Sequence, residues 1–226
     1  MDLSSQFEKE WYNRLAPILT SSYMERIFAY VKNRSELKKK IHPSSEDVFK
    51  AFRLTPFKDV KVVIIGMEPY GKKYGSGLAY GANDSVVRLP DCLFNIFAEV
   101  ERSTGIMNIN PDESLETWAK QGVLLLNGSL TTEEFSPGFH HTMWQPFTKQ
   151  VLKILSTSQA GVVYILWGEA KIYLEDIFKS SNFIITGVSP SEKEFIGCEH
   201  FIKTNEILTE VAISLDKKPN DFIIKW

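Results

Sequence analysis

Two cysteines in 226 residues, Cys92 and Cys198, are too few for a disulfide framework and read as free thiols in a reducing compartment. The four histidines, His42, His140, His141 and His200, fall at no spacing that a zinc site uses, so no metal is expected. No apolar run approaches the roughly 20 residues that a membrane-spanning helix requires. The first ten residues are mixed polar and acidic, unlike a secretory signal, and cytoplasmic or nuclear placement is expected. An excess of either charge is also missing, with 26 basic against 28 acidic residues. A surface uniformly attractive to polyanions is thereby excluded, while a local basic lip around a pocket is not. Repeats, low-complexity tracts and linkers are absent, and nothing in the pattern demands more than a monomer.

What is present suits one domain, which at this length buries roughly 70 % of the surface its unfolded chain exposes. A single unit over residues 1–226 is expected, with a helical N-terminal part (1–59) and a core (60–200) that carries the motifs. Phe7, Trp11 and Leu15 recur at fourfold spacing, and Tyr23, Met24, Ile27, Phe28 and Val31 form a second helical stripe. Short apolar runs at 60–65, 123–126, 162–166 and 183–185 predict strands covered on both faces. Helical segments are predicted at 93–100, 114–120, 147–155, 170–178 and 201–212, and 219–226 forms an apolar tail docked on the body. Strands alternating with helices indicate the α/β class: a central four-stranded, mostly parallel sheet flanked by helices. Ligands in such sheets bind beyond the carboxyl ends of the strands, which directs attention to the residues there.

The first strand runs into Gly66-Met67-Glu68-Pro69-Tyr70-Gly71. A carboxylate just past a buried strand, in a turn stiffened by proline, is poorly explained by packing, since Glu is rarely buried unpaired. Glu68 is therefore a functional candidate, with a solvated turn residue as the alternative. The following Gly71, Gly75, Gly77 and Gly81 do not form a nucleotide-phosphate fingerprint, but with Tyr74 and Tyr80 they allow close backbone paths beside flat rings. The second strand ends in Asn127-Gly128, where an amide presents donor and acceptor together, or else forms an Asx turn. The fourth is followed by Gly187-Val188-Ser189-Pro190-Ser191, which suits phosphate contact and an ordinary loop about equally.

Taken in order, these segments resemble the family 1 uracil-DNA glycosylases along most of 60–200. Residues 66–71 are similar to that family's Gly-Gln-Asp-Pro-Tyr-His loop, and Gly77-Leu78-Ala79-Tyr80 to its Gly-Leu-Ala-Phe. Pro90-Asp91-Cys92-Leu93-Phe94-Asn95-Ile96 resembles its Pro-Pro-Ser-Leu-x-Asn-Ile loop. Trp118 through Asn127, Leu130-Thr131, Leu166-Trp167-Gly168 and Gly197-Cys198-x-His200-Phe201 also match.

The resemblance implies hydrolysis of the bond between uracil and deoxyribose in single- or double-stranded DNA, through water, without cofactor or metal. It implies base flipping into a tight pocket. Glu68 would be the catalytic carboxylate that orients water and stabilises the cationic sugar. Met67, Tyr70, Tyr80 and Asn127 would bind the base: Asn127 through its edge, Tyr80 by stacking, Tyr70 by crowding C5 against the thymine methyl. Cys92, Ser189 and Ser191 would lie near phosphates.

Two departures stand out. Glu68 replaces an aspartate, keeping the charge and adding a methylene. The family's His-Pro-Ser-Pro-Leu segment, which supplies a donor to the developing uracil anion and a leucine wedge, corresponds to 186–191, about two residues shorter. Its histidine falls at Gly187 or Val188, and only Phe195 offers itself as a wedge. The family's first-loop histidine is Gly71. His140 and His141 lie in a stretch resembling its Ser-His…Gly-Trp, with Trp144 kept. These departures support an alternative: a non-catalytic or weakly catalytic relative that binds DNA or a replication or repair protein.

Overall fold

The computed structural model describes residues 3–71, 74–83, 88–106 and 111–226. The helical N-terminal part comprises α1 (Lys9–Leu19) and α2 (Ser22–Glu36). The Glu8 carboxylate caps α1 by accepting from the amides of Glu10 and Trp11, and Ser21 caps α2 by accepting from Met24. The fourfold spacing lands where it should: Phe7, Trp11 and Leu15 are all buried. A two-residue strand β1 (Ile41–His42) and a short helix α3 (Lys50–Leu54) lead to the first central strand, β2 (Val62–Gly66).

Helices α4 (Asp91–Thr104) and α5 (Glu116–Ala119) precede β3 (Val123–Asn127). Asp112 organises the start of α5 by accepting from the Ser114 and Thr117 amides. Then come β4 (Thr132–Glu133), α6 (His141–Ser158), β5 (Val163–Trp167), β6 (Phe183–Gly187), α7 (His200–Ser214) and α8 (Pro219–Phe222). The main sheet has the order β3-β2-β5-β6, and every neighbouring pair is parallel. Its register places Gly66 beside Asn127 and Trp167 beside Gly187. Three strands are buried throughout, which explains their unbroken apolar runs.

Two expectations need correction, and one feature was not foreseen. β6 is an edge strand with only Ile185 buried, so it is not covered on both faces. The segment predicted as a helix at 170–178 is a 3-10 helix, Gly168–Asp176, pinned to the core by Ala170 and Tyr173. The sequence reading also missed an antiparallel ribbon in which β1 pairs β4, Ile41 with Glu133 and His42 with Thr132. The tail docks as expected. Trp226 packs edge-on to Trp118, centroids 5.0 Å apart, and its indole N–H donates to Phe201 O at 3.1 Å. No described helix is long and apolar enough to cross a membrane.

Candidate active site

The carboxyl ends of β2 and β3 meet at Gly66 and Asn127. A Cβ on Gly66 would lie 2.9 Å from Asn127 Oδ1 and 3.1 Å from Ala79 Cβ, so glycine is what lets the amide and the 77–80 segment close on the strand end. Asn127 is 2 % exposed, yet among the described residues neither Oδ1 nor Nδ2 has a hydrogen-bond partner. It therefore forms no Asx turn. An unsatisfied buried amide costs about 1–3 kcal/mol, which a fold tolerates where a ligand supplies the partners.

Glu68 is oriented by donors from far along the chain. Its Oε2 accepts from Thr132 Oγ1 at 2.9 Å and from the Gly138 amide at 2.8 Å. Among the described residues nothing donates to Oε1, so one oxygen is fixed while the other stays free. The ribbon missed in the sequence is what places Thr132. Arg34 of α2 grips the buried Glu133 of β4 with two hydrogen bonds, 2.9 and 3.0 Å, so α2 holds the ribbon against the loop that carries Glu68.

An open cleft of about 390 Å³ begins at Glu68 and is lined also by Tyr70, Tyr74, Arg88, Pro90 and Phe135. Phe135 escaped the sequence reading. It is 83 % exposed and sits at φ +64°, a left-handed conformation that a bulky side chain rarely adopts. The only sequence signal was its place in a short polar loop after Leu130-Thr131.

Tyr70 lines the cleft and is tied to Tyr80 behind it. The Tyr70 hydroxyl donates to Tyr80 O at 3.2 Å, and the Tyr80 hydroxyl to Ile65 O at 3.4 Å. Burial pushes both phenols well above their ordinary range, so both remain protonated donors. The Tyr80 ring meets Trp167 edge-on, centroids 5.6 Å apart, so it turns inward over the strand end. Met67 is partly buried against the core, and its carbonyl accepts from the Ser129 amide at 2.9 Å. Cys92, half-buried in the first turn of α4, lies within electrostatic reach of both tyrosines; burial, aided by Asp91, raises its thiol.

Ser189 and Ser191 form a second group, in the loop after β6. Their hydroxyls are 2.8 Å apart, and the Ser189 amide donates to Glu192 Oε1 at 2.9 Å. Asn95 of α4 donates to Pro190 O at 2.7 Å, tying this loop to the helix that carries Cys92. Phe195 is no wedge: it is fully buried, its ring edge-on to Trp167 at 5.0 Å. The exposed apolar side chain beside it is Ile196. His140 is also buried, its Nδ1 2.8 Å from Thr131 Oγ1, which in turn accepts from the Trp144 indole N–H at 2.7 Å. Burial lowers its pKa, and it braces the segment behind Glu68 without lining the cleft. Among the described residues no group of three His, Cys, Asp or Glu is placed to hold a metal ion.

An oriented carboxylate two residues past the end of β2 and a buried amide at the paired end of β3, without a partner among the described residues, thus follow the same edge of the sheet. Comparison with known proteins bears directly on this arrangement. A uracil-DNA glycosylase of Borrelia turicatae is 40 % identical over 220 residues, covering 93 % of this chain and 98 % of that protein. The chain belongs to the uracil-DNA glycosylase family. A further member, from Dictyostelium discoideum, is 39 % identical over 94 % of this chain and 64 % of its own length. Among solved structures, the mimivirus uracil-DNA glycosylase has a TM-score of 0.85, covering 99 % of this chain and 90 % of that one, at 21 % identity. A Y322L form of the mimivirus protein, also at TM-score 0.85, was solved in complex with UGI; it covers 97 % of this chain and 90 % of that one, at 21 % identity. No family model matches the chain.

Proposed function

We propose that this glycosylase hydrolyses the N-glycosidic bond between uracil and deoxyribose in DNA, the opening step of base-excision repair, with Glu68 as its catalytic carboxylate. The observation that carries the reading is the pairing of an unpartnered, buried Asn127 with a Glu68 that has one oxygen fixed and one free. The polar edge of uracil carries an N–H beside carbonyl oxygens, which is complementary to an amide donor and acceptor. A nucleotide flipped out of single- or double-stranded DNA presents that edge to Asn127. Admission requires Tyr70 and Tyr80 to yield the two hydroxyl contacts that close the wall. Once seated, the base stacks on Tyr80, beside the Met67 backbone, while Tyr70 crowds its C5 position and excludes a methyl group.

As the C1′–N1 bond breaks, its electron pair leaves with the base and positive charge develops on the sugar. The Glu68 carboxylate stabilises that charge, and its free Oε1 holds the water whose oxygen bonds to C1′ and whose proton passes to the carboxylate. The water-derived hydroxyl remains on the sugar, giving an abasic site. Cys92, Ser189 and Ser191 hold the flanking phosphates, and exposed Phe135 at the cleft mouth contacts the displaced bases. The chain acts as one unit over 1–226, as a monomer, in the cytoplasm or nucleus where its DNA lies. A purely binding relative has no use for a carboxylate oriented in this way.

The test is release of free uracil from an oligonucleotide with one deoxyuridine, against its thymidine counterpart. Uracil-only release that collapses in Glu68→Ala is the expected result. No release above the Glu68→Ala background, from folded protein, overturns the reading and leaves a binding role.

A further inference from the structure

The segment that ends β6 has no side chain able to donate a hydrogen bond at 187 or 188, the positions where the resemblance places a histidine. The structure puts a different imidazole there. His200, the first residue of α7, stands over the paired ends of β5 and β6. The Trp167 indole N–H donates to His200 Nδ1 at 2.9 Å, and the two rings lie nearly parallel, 17° apart with centroids at 6.3 Å. A Cβ built on Gly187 would overlap Cε1 of the same ring. Gly187 has no positive φ, so its backbone does not call for glycine. The imidazole therefore occupies the space into which a side chain at 187 would extend, and a glycine is what admits it.

Because Nδ1 accepts from Trp167, the neutral ring carries its proton on Nε2. Among the described residues Nε2 has no hydrogen-bond partner, and the residue retains 8 % exposure. The approach to α7 is held rigidly. The carboxylate of Glu99, fully buried in α4, accepts from the Gly197 amide at 2.7 Å and the Glu199 amide at 2.8 Å, and Arg102 neutralises it. A polar ring is thus fixed in tautomer, clamped from behind, and left with one unused donor at the strand ends where the base binds.

We propose that His200 is the donor to the uracil oxygen that gains negative charge as the glycosidic bond breaks, reaching in from α7 through the space that Gly187 leaves open. The proposal rests on the glycosylase reading above. A neutral donor suits the task, and burial together with Lys203 lowers the imidazole pKa against an opposing pull from Glu99. Removing one preorganised donor to a developing anion costs on the order of 10²–10³ in kcat.

Single-turnover uracil release should be compared among wild type, His200→Phe, His200→Gln, Gly187→Ala and Glu68→Ala. His200→Phe keeps a ring beside Trp167 and should lose about 10²–10³-fold in kcat with little change in KM. His200→Gln, which retains an N–H donor, should recover part of that loss, and Gly187→Ala, which displaces the ring, should resemble His200→Phe. The wild-type protein with ¹⁵N-labelled histidine supplies a readout independent of folding defects. Adding free uracil with abasic-site DNA should move the Nε2–H resonance of His200, and an unmoved resonance overturns the proposal. Folded His200→Phe within a few-fold of wild type overturns it too, while Glu68-dependent release leaves the glycosylase reading standing. A wild-type protein without Glu68-dependent release overturns both.

Discussion

Replacing Asn127 with leucine should move stability and activity in opposite directions. The amide is 2 % exposed with both polar atoms unpaired among the described residues, so the free protein carries a desolvation cost of about 1–3 kcal/mol. Leucine has the same number of side-chain heavy atoms and leaves no cavity. Its methyls are bulkier than the atoms they replace, and overpacking this buried site should cost about 1 kcal/mol. The balance is neutral to about 2 kcal/mol stabilising. For a chain of this length, each kcal/mol raises Tm by about 2–4 °C. Uracil release should meanwhile fall by on the order of 10⁴, because a seated base then faces methyls with its own polar edge unsatisfied. Thermal unfolding and single-turnover release on the same preparation measure both quantities. A fall in stability of several kcal/mol would show that the amide has a structural partner. Release within tenfold of wild type would show that it does not hold the base, and either result refutes the argument.

Other consequences are open to direct measurement. Glu68→Gln keeps the hydrogen-bonding shape but removes the charge facing the sugar, and should lower kcat by at least about 10²-fold with Tm nearly unchanged; unchanged turnover would remove Glu68 from the chemistry. Tyr70→Ala should let thymine be released from a thymidine oligonucleotide, where wild type releases none, and continued exclusion would mean that another group rejects the methyl. Phe135→Ser, at an 83 % exposed position, should leave Tm within about 2 °C of wild type while weakening binding to an abasic-site duplex, read by anisotropy. Glu99 has a mixed balance: burial raises its pKa, but hydrogen bonds from Arg102 and the Gly197 and Glu199 amides outweigh that and hold it below the ordinary value of 4.5. A depressed folded-state pKa gives stability that is present above the unfolded value and lost as pH falls through the folded one. The stability gap between wild type and Glu99→Gln should therefore be full at pH 7 and shrink below about pH 4.5, and a constant gap from pH 7 to 3 would contradict the ion pair.

The parallel sheet was legible because burial on both faces leaves a one-dimensional trace, and 62–66, 123–127 and 163–167 carry it without interruption. The edge strand at 183–187 kept only part of that signature, since one flank lacks a neighbour to demand apolar residues. Glu68 and Asn127 stood out as candidates for a related reason: polar groups abutting buried runs are costly without a purpose. Their support was not. Glu68 is oriented by Thr132 and Gly138, and behind Thr132 stands an Arg34–Glu133 contact between residues 99 apart in the chain. Two-residue strands have no periodicity to read, so the ribbon that makes this contact left no mark in the sequence.

The residues after β6 show the division most clearly. The order of residues already leaves no side-chain donor at Gly187 or Val188, and it shows Phe195 to be apolar enough for a wedge. That Phe195 points into the core against Trp167, and that His200 comes back from the start of α7 to lie over Gly187, follows from packing alone. Composition and local pattern fix which groups a chain owns and which segments must be buried. Which of those groups share a space depends on how buried surfaces from distant segments pack, and that packing is set jointly by elements that no window of the sequence contains together.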